Sequence, residues 1–524
     1  MVFLGGSPLY FVLINVFLLL IFNYSLSMNA LLFDDANYIN RHDFPSDFQF
    51  GAASSAFQYE GAWNEDGRGP SIWDTLTHEH PDAIADKSNA DVTVDFYHLY
   101  REDVRTMKDM GMTAFRFSIS WSRILPNGTL SGGINAKGIK FYSDLIDELM
   151  RNGLEPFATL FHWDTPQALE DAYGSFLNSR IVNDFRDFAD VCFQYFGDRV
   201  KNWMTINEPF SYVMYGYGDG TYAPARCSTW LGCSEGDSST EPYIVGHNIL
   251  LAHAAGVDLY RRKYKESQNG TIGIAIEFIW PLPYSSHLED INASQRSADF
   301  TFGWYMDPIT NGDYPEIMKT LVGERLPKFT ATESKMLKGS FDFLGLNYYT
   351  TAYAFNVPPA DPKYLSYQTD GCVNTTGVRN GTAIGTPTAS PWVYAYPMGI
   401  GHVLSYIYGK YNNPLIYLTE NGVSQEKAPV SKSLNDTDRV EFLKTHLYYL
   451  HRVMREGVNV KGYFVWSLLD NFEWNYGYAT PFGIYYVDFE MQPRSQRRIP
   501  KESAKWLKGF LRNIDDMKLH VSSM

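Results

Sequence analysis

Eight short runs of apolar residues recur along the chain, and the stretches between them have the spacing of amphipathic helices. The runs cover residues 48–53, 114–120, 154–160, 202–208, 271–278, 341–347, 415–419 and 460–466. Short apolar runs of this kind are typical of strands buried in a parallel sheet, and their alternation with helices predicts βαβ units. Eight such units in one chain favour a closed (β/α)8 barrel over an open, doubly wound sheet.

The helical stretches have recognisable ends. Residues 96–110 form one predicted helix that Gly111 ends, and a second runs from about Ile139 until Gly153 stops it. A third helix ends at Gly197, and its predicted apolar face consists of Phe185, Phe188, Ala189, Cys192 and Tyr195. The chain contains no Pro/Ser-rich linker and no internal repeat. We therefore expect one barrel domain over residues 28–524, with the long polar stretches 222–242 and 357–391 as loops over one end.

Two of the predicted strands end in a glutamate that has an asparagine beside it. The strand over residues 202–208 ends at Asn207 and Glu208, and Glu420 and Asn421 follow residues 415–419. Because Pro209 disfavours the α region for the residue before it, Glu208 is expected to be extended. Two strand ends of this kind predict a pair of carboxylates facing one small space, and paired carboxylates are the groups that cleave glycosidic bonds.

Composition narrows the function classes. The formal net charge of −15 argues against binding to nucleic acids or anionic membranes, because like charges repel. No glycine-rich phosphate motif follows the first strand, which argues against a dinucleotide-binding protein. Four cysteines are too few for a disulfide framework. Cys227 and Cys233 flank a short loop and can pair in an oxidising compartment, whereas Cys192 is expected to be a buried free thiol.

The N-terminus has the features of a secretory signal peptide over residues 1–27. An apolar run covers residues 10–21 and small residues follow at 25–27, although the segment before the run has no Lys or Arg. The run is shorter than the roughly twenty apolar residues of a membrane span. Possible N-glycosylation acceptors, each followed by X-Ser/Thr, are Asn127, Asn269, Asn292, Asn374, Asn380 and Asn435. We therefore expect entry into the secretory pathway, with an extracellular (apoplastic) or vacuolar destination.

From about residue 44 to 511 the chain resembles glycoside hydrolase family 1, and most closely its plant β-glucosidases. The motifs that carry the resemblance are FRFSISW at 115–121, TINEP at 205–209, GLNYY at 345–349, LTENG at 418–422 and WSLLDNFEW at 466–474. The resemblance implies a (β/α)8 barrel whose fourth strand ends at Glu208, the acid/base. Its seventh strand ends at Glu420, the nucleophile of a retaining mechanism.

The resemblance also assigns supporting residues. Arg116 and Tyr349 match residues that contact the nucleophile, and Asn207 matches the one that binds the sugar 2-hydroxyl. The matching sugar-binding positions are Gln58, His162, Asn207, Glu473 and Trp474, with Trp466 as the platform under the ring, Phe482 near the exocyclic hydroxymethyl and Trp392 in the aglycone cleft. The chain departs from the family at Pro481, where the plant enzymes usually carry Arg. No metal or cofactor is implied.

The sequence therefore predicts a secreted, retaining β-glycosidase, most directly a β-glucosidase that hydrolyses small β-D-glucosides of plant metabolites or oligosaccharides. Two alternatives stay open at this point. A transglucosidase would use the same residues with an acceptor alcohol in place of water, and a sugar-binding relative would have little activity. The natural aglycone, the final compartment and the oligomeric state are not defined by these patterns.

Overall fold

The computed structural model describes residue 36, residues 39–493 and residues 495–513. Eight parallel strands close into a barrel in which each strand pairs with its neighbours in chain order and the last pairs with the first. The strands are β1 Gln49–Ala53, β2 Ala114–Ser118, β3 Glu155–Phe161, β4 Asn202–Asn207, β5 Thr271–Glu277, β6 Phe343–Asn347, β7 Ile416–Asn421 and β8 Val460–Val465. All eight predicted strands are confirmed, with ends that differ from the prediction by a few residues.

Eight helices follow the eight barrel strands, one after each strand. They are α1 Phe96–Met110, α2 Ala136–Arg151, α3 Ile181–Phe196, α4 Glu241–Lys263, α5 Trp304–Asn311, α6 Met398–Lys410, α7 Thr437–Arg455 and α8 Glu502–Arg512. Helix α1 has the predicted bounds, and Gly111 ends it in the left-handed conformation at φ 88°. Cys192 is buried as predicted, but Tyr195 is 41% exposed. The apolar face of α3 instead continues through Phe193 and Phe196, and Tyr195 lies in the last turn, where solvent reaches the helix.

Further elements fill the connections. The other helices are Arg41–Asp43, Ala56–Tyr59, Ile72–Glu79, Pro81–Ala83, Trp121–Ile124, Leu130–Gly132, Gln167–Tyr173, Ser175–Leu177, Pro209–Val213, Met214–Gly218, Thr229–Leu231, Lys265–Gln268, Leu288–Ala298, Asp299–Gly303, Glu316–Val322, Gly323–Arg325, Ala331–Leu337, Pro362–Tyr364, Tyr367–Asp370, Val430–Leu434 and Trp474–Tyr476. The short strands are Trp280–Pro283, Thr351–Asn356 and Val373–Thr376 in one sheet, and the pairs Val378–Arg379 with Thr382–Ala383, Thr386–Pro387 with Tyr394–Ala395 and Tyr485–Val487 with Arg498–Pro500.

The two long polar stretches contain short elements of this kind. Residues 222–242 hold one turn of helix, Thr229–Leu231, and the predicted disulfide between Cys227 and Cys233. Residues 357–391 carry the outer strand Val373–Thr376 of the small sheet. Two other strands of that sheet, Trp280–Pro283 and Thr351–Asn356, follow the ends of β5 and β6, so the sheet extends the barrel at its C-terminal face.

The lower part of the barrel interior is filled by apolar side chains, and we call this cluster the floor. It consists of Ala53, Ala114, Phe157, Met204, Ala275, Phe343 and Phe464, with Trp466 and Phe482 above them. Phe157 meets Phe464 edge to face at a centroid distance of 4.9 Å. Gly51 lets β1 and β2 approach, because a Cβ there would lie 2.5 Å from the Ala114 carbonyl oxygen. The chemistry is therefore confined to the opposite, C-terminal end.

The predicted leader, residues 1–27, lies outside the described residues. Among the helices that the structure does describe, none is long and apolar enough to cross a membrane. All six asparagines of the N-X-Ser/Thr triplets are exposed. The described surface therefore has room for a glycan at each of these positions.

Candidate active site

Glu420 lies at the C-terminal end of β7, where two donors hold its carboxylate. Arg116 of β2 donates from Nη1 to Oε1, and the Tyr349 hydroxyl donates to Oε2 at 2.7 Å. Arg116 is fully buried and Glu420 is nearly so. Arg116 and Tyr349 therefore both contact Glu420 and fix the orientation of its carboxylate.

Glu208 follows β4 and faces the same space. Asn347 donates from Nδ2 to Glu208 Oε1 at 2.7 Å. Burial raises the pKa of Glu208 well above its ordinary value, the negative charge of Glu420 raises it further, and Glu277 adds to both effects. Glu208 therefore keeps its proton near neutral pH. A protonated carboxyl that shares a cavity with a second carboxyl is the arrangement that a retaining glycosidase needs.

The backbone of Glu208 is left-handed, with φ 43° and ψ 66°, so the prediction of an extended residue was wrong. Strand β4 already ends at Asn207, and Pro209 begins the helix Pro209–Val213. The proline excludes the right-handed α region for Glu208, but tertiary contacts select the left-handed region instead of the extended one. The Glu208 amide donates to the Ala275 carbonyl at 2.9 Å. A non-glycine residue in this conformation costs of order 1–3 kcal/mol, and such residues cluster at functional sites.

Asn207 is hydrogen-bonded to one partner of each carboxyl, and these bonds fix the orientation of its amide. Its Oδ1 accepts from Arg116 Nη2 at 2.6 Å and from Asn347 Nδ2 at 3.1 Å, so its Nδ2 points to His162 Nε2 at 3.1 Å. His162 Nε2 must then accept, which places the ring proton on Nδ1. Burial, followed by the charge of Arg116, lowers the pKa of His162 well below its ordinary value, so the ring is neutral.

The proton on His162 Nδ1 has no hydrogen-bond partner among the described residues, although the atom is buried. A buried donor without a partner is costly. A hydroxyl group of a bound sugar would satisfy it. The resemblance predicts such a contact for His162.

Glu473 and Gln58 form a second buried polar group at the same end of the barrel. Gln58 Nε2 lies 3.4 Å from Glu473 Oε2 and donates to the Phe472 carbonyl at 2.8 Å. Trp466 Nε1 donates to Glu473 Oε1 at 3.3 Å. Burial raises the pKa of Glu473 to about 8. In the free protein Glu473 is therefore largely protonated at neutral pH, and hydroxyls that donate to it would favour its ionised form.

Aromatic side chains wall this part of the cavity. The His162 ring lies nearly parallel to those of Trp466 and Trp474, at centroid distances of 6.1 and 5.9 Å. Phe482 is buried against one side of Tyr349, and Trp392, 41% exposed, packs on it from the rim. The structure thus brings all the predicted site residues to one end of the barrel, with Trp392 outermost.

The loop at Pro481, where the chain departs from the family pattern, is fixed by hydrogen bonds. The Pro481 carbonyl accepts from the Gln425 amide at 3.0 Å and from Arg439 Nη2 at 3.1 Å. Arg439 is buried and also donates to the Val423 carbonyl after β7. Arg439 therefore ties the loop that carries Phe482 to the segment after Glu420.

Sequence reasoning missed two residues of the site. Asn347 was quoted within GLNYY without a role, yet its amide bonds both Asn207 and Glu208. Glu277 ends β5, and burial raises its pKa to about 7. It is a glutamate at the end of an apolar strand, as Glu208 and Glu420 are, but no asparagine stands beside it. Among the described residues, no cluster of His, Cys, Asp and Glu could hold a metal ion.

Known proteins resemble this chain over most of its length. The sequence profile described as Glycosyl hydrolase family 1 matches residues 40–515. Beta-glucosidase 24 of Oryza sativa subsp. japonica is 56% identical, covering 91% of this chain and 95% of its own. The furostanol glycoside 26-O-beta-glucosidase of Hellenia speciosa is 54% identical, with 90% and 84% covered. A mutant of rice Os3BGlu6 beta-glucosidase, in a covalent complex with Glc, superimposes with a TM-score of 0.88 at 45% identity, covering 90% and 99%.

The barrel and its pair of carboxyls define the class, which is a glycoside hydrolase built on a (β/α)8 fold. Within that class, the chain belongs to glycosyl hydrolase family 1. The family that the sequence motifs indicated is thereby confirmed.

Proposed function

We infer that the protein is a retaining β-glucosidase, in which Glu420 is the nucleophile and Glu208 the acid/base. The observation that carries this inference is the contrast between the two carboxyls. Glu420 is paired with Arg116 and Tyr349, whereas burial and the charge of Glu420 raise the pKa of Glu208. The beta-glucosidase relatives support the same activity. They are hydrolases by name, so neither a transglucosidase nor a sugar-binding protein is favoured.

Each carboxyl acts twice in the proposed reaction. In the first step a Glu420 oxygen attacks the anomeric carbon, the bond to the leaving oxygen breaks, and that oxygen takes the proton of Glu208. In the second step Glu208 removes a proton from water, whose oxygen attacks the anomeric carbon and releases Glu420. Two inversions give net retention. The charge that develops on the sugar ring is stabilised by the adjacent Glu420 carboxylate.

The remaining groups bind the sugar. Asn207 holds the 2-hydroxyl, a contact that strengthens at the transition state. His162, Gln58 and Glu473 bind further hydroxyls, Trp466 and Trp474 cover the C–H faces of the ring, and Phe482 packs near the hydroxymethyl group. The Tyr349 hydroxyl keeps Glu420 in position for attack, and Trp392 at the rim stacks on the aglycone.

We also propose that the chain enters the secretory pathway, loses about residues 1–27 and carries N-glycans. The apolar leader, the exposed N-X-Ser/Thr asparagines and the Cys227–Cys233 disulfide support this route. The destination would be extracellular or vacuolar. Intact-mass and glycopeptide measurements on protein from its native source test it, and an intact Met1 with no glycan on any of the six asparagines would contradict it.

The activity itself is tested with purified protein and matched 4-nitrophenyl glycosides. We expect kcat/KM to be highest for the β-glucoside or its close analogue the β-fucoside, and the α-glucoside to be inert because Glu420 attacks from the face opposite a β-linked aglycone. Glu208→Ala should lose most activity on substrates with poor leaving groups and far less on activated aryl glucosides, which need little protonation. Cleavage of the α-glucoside alone would contradict the inference.

A further inference from the structure

The end of β5 places a third carboxyl beside the proposed catalytic pair. Glu277 is the last residue of β5 and lies in register with Asn347 of β6, the residue that donates to Glu208. Its Oε1 accepts from the Ser211 amide at 2.5 Å, while its Oε2 is buried without a hydrogen-bond partner among the described residues. No ion pair to Glu277 occurs in that part of the chain. Nothing in its surroundings neutralises its charge.

Strand β5 also holds the turn that carries Glu208. The amide of Glu208 donates to the Ala275 carbonyl, and the amide of Ser211, three residues on, donates to the Glu277 side chain. The turn is thus fixed at both ends by one strand. An unfavourable left-handed residue persists only where surrounding contacts impose it, and these two hydrogen bonds impose it here.

Most of the other ionisable groups around Glu208 and Glu277 are neutral or already paired. They are Arg116 on β2, Glu420 on β7, and the buried tyrosines Tyr215, Tyr222, Tyr305, Tyr349 and Tyr367. Burial raises the pKa of each of these tyrosines, so all of them stay neutral. Arg116 is already paired with Glu420. Glu277 therefore brings to Glu208 a carboxyl whose pKa lies near neutral, and Glu473, whose charge acts on Tyr349, has a pKa of about 8.

We propose that Glu277 is a positioning residue for the acid/base: its carboxyl fixes the turn after Glu208, and its negative charge favours the protonated form of Glu208. This inference rests on the proposed function and adds a residue to it. Burial raises the pKa of Glu277 to about 7, so this carboxyl becomes charged as pH rises through neutrality. Its new charge then opposes ionisation of Glu208 and extends acid catalysis to higher pH.

The test is the pH profile of kcat/KM for a β-glucoside with a poor leaving group, measured on wild type and three variants. Glu277→Gln removes the charge but keeps an oxygen for the Ser211 amide. We expect its basic limb to move to lower pH by roughly 0.5–1.5 units, with activity on the acid side within about tenfold of wild type. Glu277→Asp keeps the charge but withdraws the oxygen, so it should lower kcat and leave the limb in place.

Glu155→Gln is the matched control, because it also removes one carboxylate from the end of a barrel strand. Glu155 begins β3 at the opposite end of the barrel, where Gln49 and Asn202 bond it. The basic limb of the pH profile of Glu155→Gln should not move. Unfolding temperature and covalent active-site titration with a 2-fluoroglucoside establish that each variant is folded, and Glu277→Asp decides alone if Glu277→Gln does not fold.

The proposal is overturned if Glu277→Gln leaves the basic limb unchanged, if Glu155→Gln moves it equally, or if Glu277→Asp moves it to lower pH. A wild type that hydrolyses no β-glucoside would instead remove the proposed function itself.

Discussion

The floor and the C-terminal mouth of the barrel are built from the same eight strands, but the side chains that they bury differ in polarity. Phe157, Phe343 and Phe464 pack in the floor as parts of one apolar cluster. A few residues further along, the strands and the turns that follow them carry Arg116, Asn207, Glu208, Asn347, Glu420 and Glu473, all buried as well. Burial stabilises the first set and penalises the charges of the second. Burial of the floor therefore stabilises the fold, whereas burial of the charged groups at the mouth lowers its stability.

The raised pKa values of the mouth carboxyls make the stability of the protein depend on pH. Burial raises the pKa of Glu208, Glu277 and Glu473 above the value of an unfolded chain. The folded protein consequently binds more protons than the unfolded chain between about pH 4.5 and the raised values. Stability falls as pH rises through that window, because the carboxyls must ionise while buried.

The largest expected effect comes from removing the nucleophile at the mouth. Glu420→Ala should lower kcat on β-glucosides by several orders of magnitude, on the order of 10⁴-fold or more, because the covalent step is lost. Added azide should restore turnover and yield the α-glucosyl azide. Glu155→Ala at the opposite end removes a carboxylate too and should leave kcat nearly unchanged. A Glu420→Ala variant with substantial activity and no response to azide would contradict the assignment.

The next effect belongs to the floor. Phe157→Ala should cost about 3–5 kcal/mol of stability, because it opens a cavity among rings that pack edge to face. The folded fraction should keep kcat/KM within a few fold of wild type. Thermal unfolding and kinetics per titrated active site measure the two quantities. A large loss of kcat/KM with an unchanged unfolding temperature would mean that floor and mouth are not separable.

Glu473→Gln should lower kcat/KM on glucosides by one to three orders of magnitude, on the order of 1–4 kcal/mol. A carboxylate that accepts from the 4- and 6-hydroxyls gains two charge-assisted hydrogen bonds, which the amide cannot reproduce. The β-fucoside, which lacks the 6-hydroxyl, should lose less. A 6-phosphoglucoside should be a poor substrate of wild type because two negative charges would be buried together. Equal losses on glucoside and fucoside would instead indicate a structural role for Glu473.

The same substitution makes a smaller prediction for stability. Burial raises the pKa of Glu473 from its ordinary value of 4.5 to about 8 in the folded protein. The stability of wild type therefore falls as pH rises between these two values. Gln does not ionise, and Glu473→Gln should gain unfolding temperature over wild type between pH 5 and pH 8, by about 1–3 °C. Thermal unfolding at both pH values measures the difference. A difference that shrinks as pH rises would contradict the sign.

The sequence was informative where one local pattern sufficed. Apolar runs located all eight strands, and the two strand-end glutamates with their motifs located the site. The left-handed backbone of Glu208 was not predictable, because it depends on hydrogen bonds from β5, which lies more than sixty residues further along the chain. The orientation of the Asn207 amide depends on three partners from three other strands or loops. Glu277 was overlooked because no asparagine stands beside it in the sequence, and only the closed barrel brings it beside Glu208.

The central claim is that Glu420 and Glu208 work by double displacement, and the stereochemistry of the first product tests it most directly. Hydrolysis of a β-glucoside is followed by ¹H NMR from the earliest times, before the released sugar mutarotates. The account predicts that β-glucose appears first and that the α-anomer grows in only as mutarotation proceeds. An α-anomer as the first product would show a single displacement by water and would contradict the roles given to both glutamates.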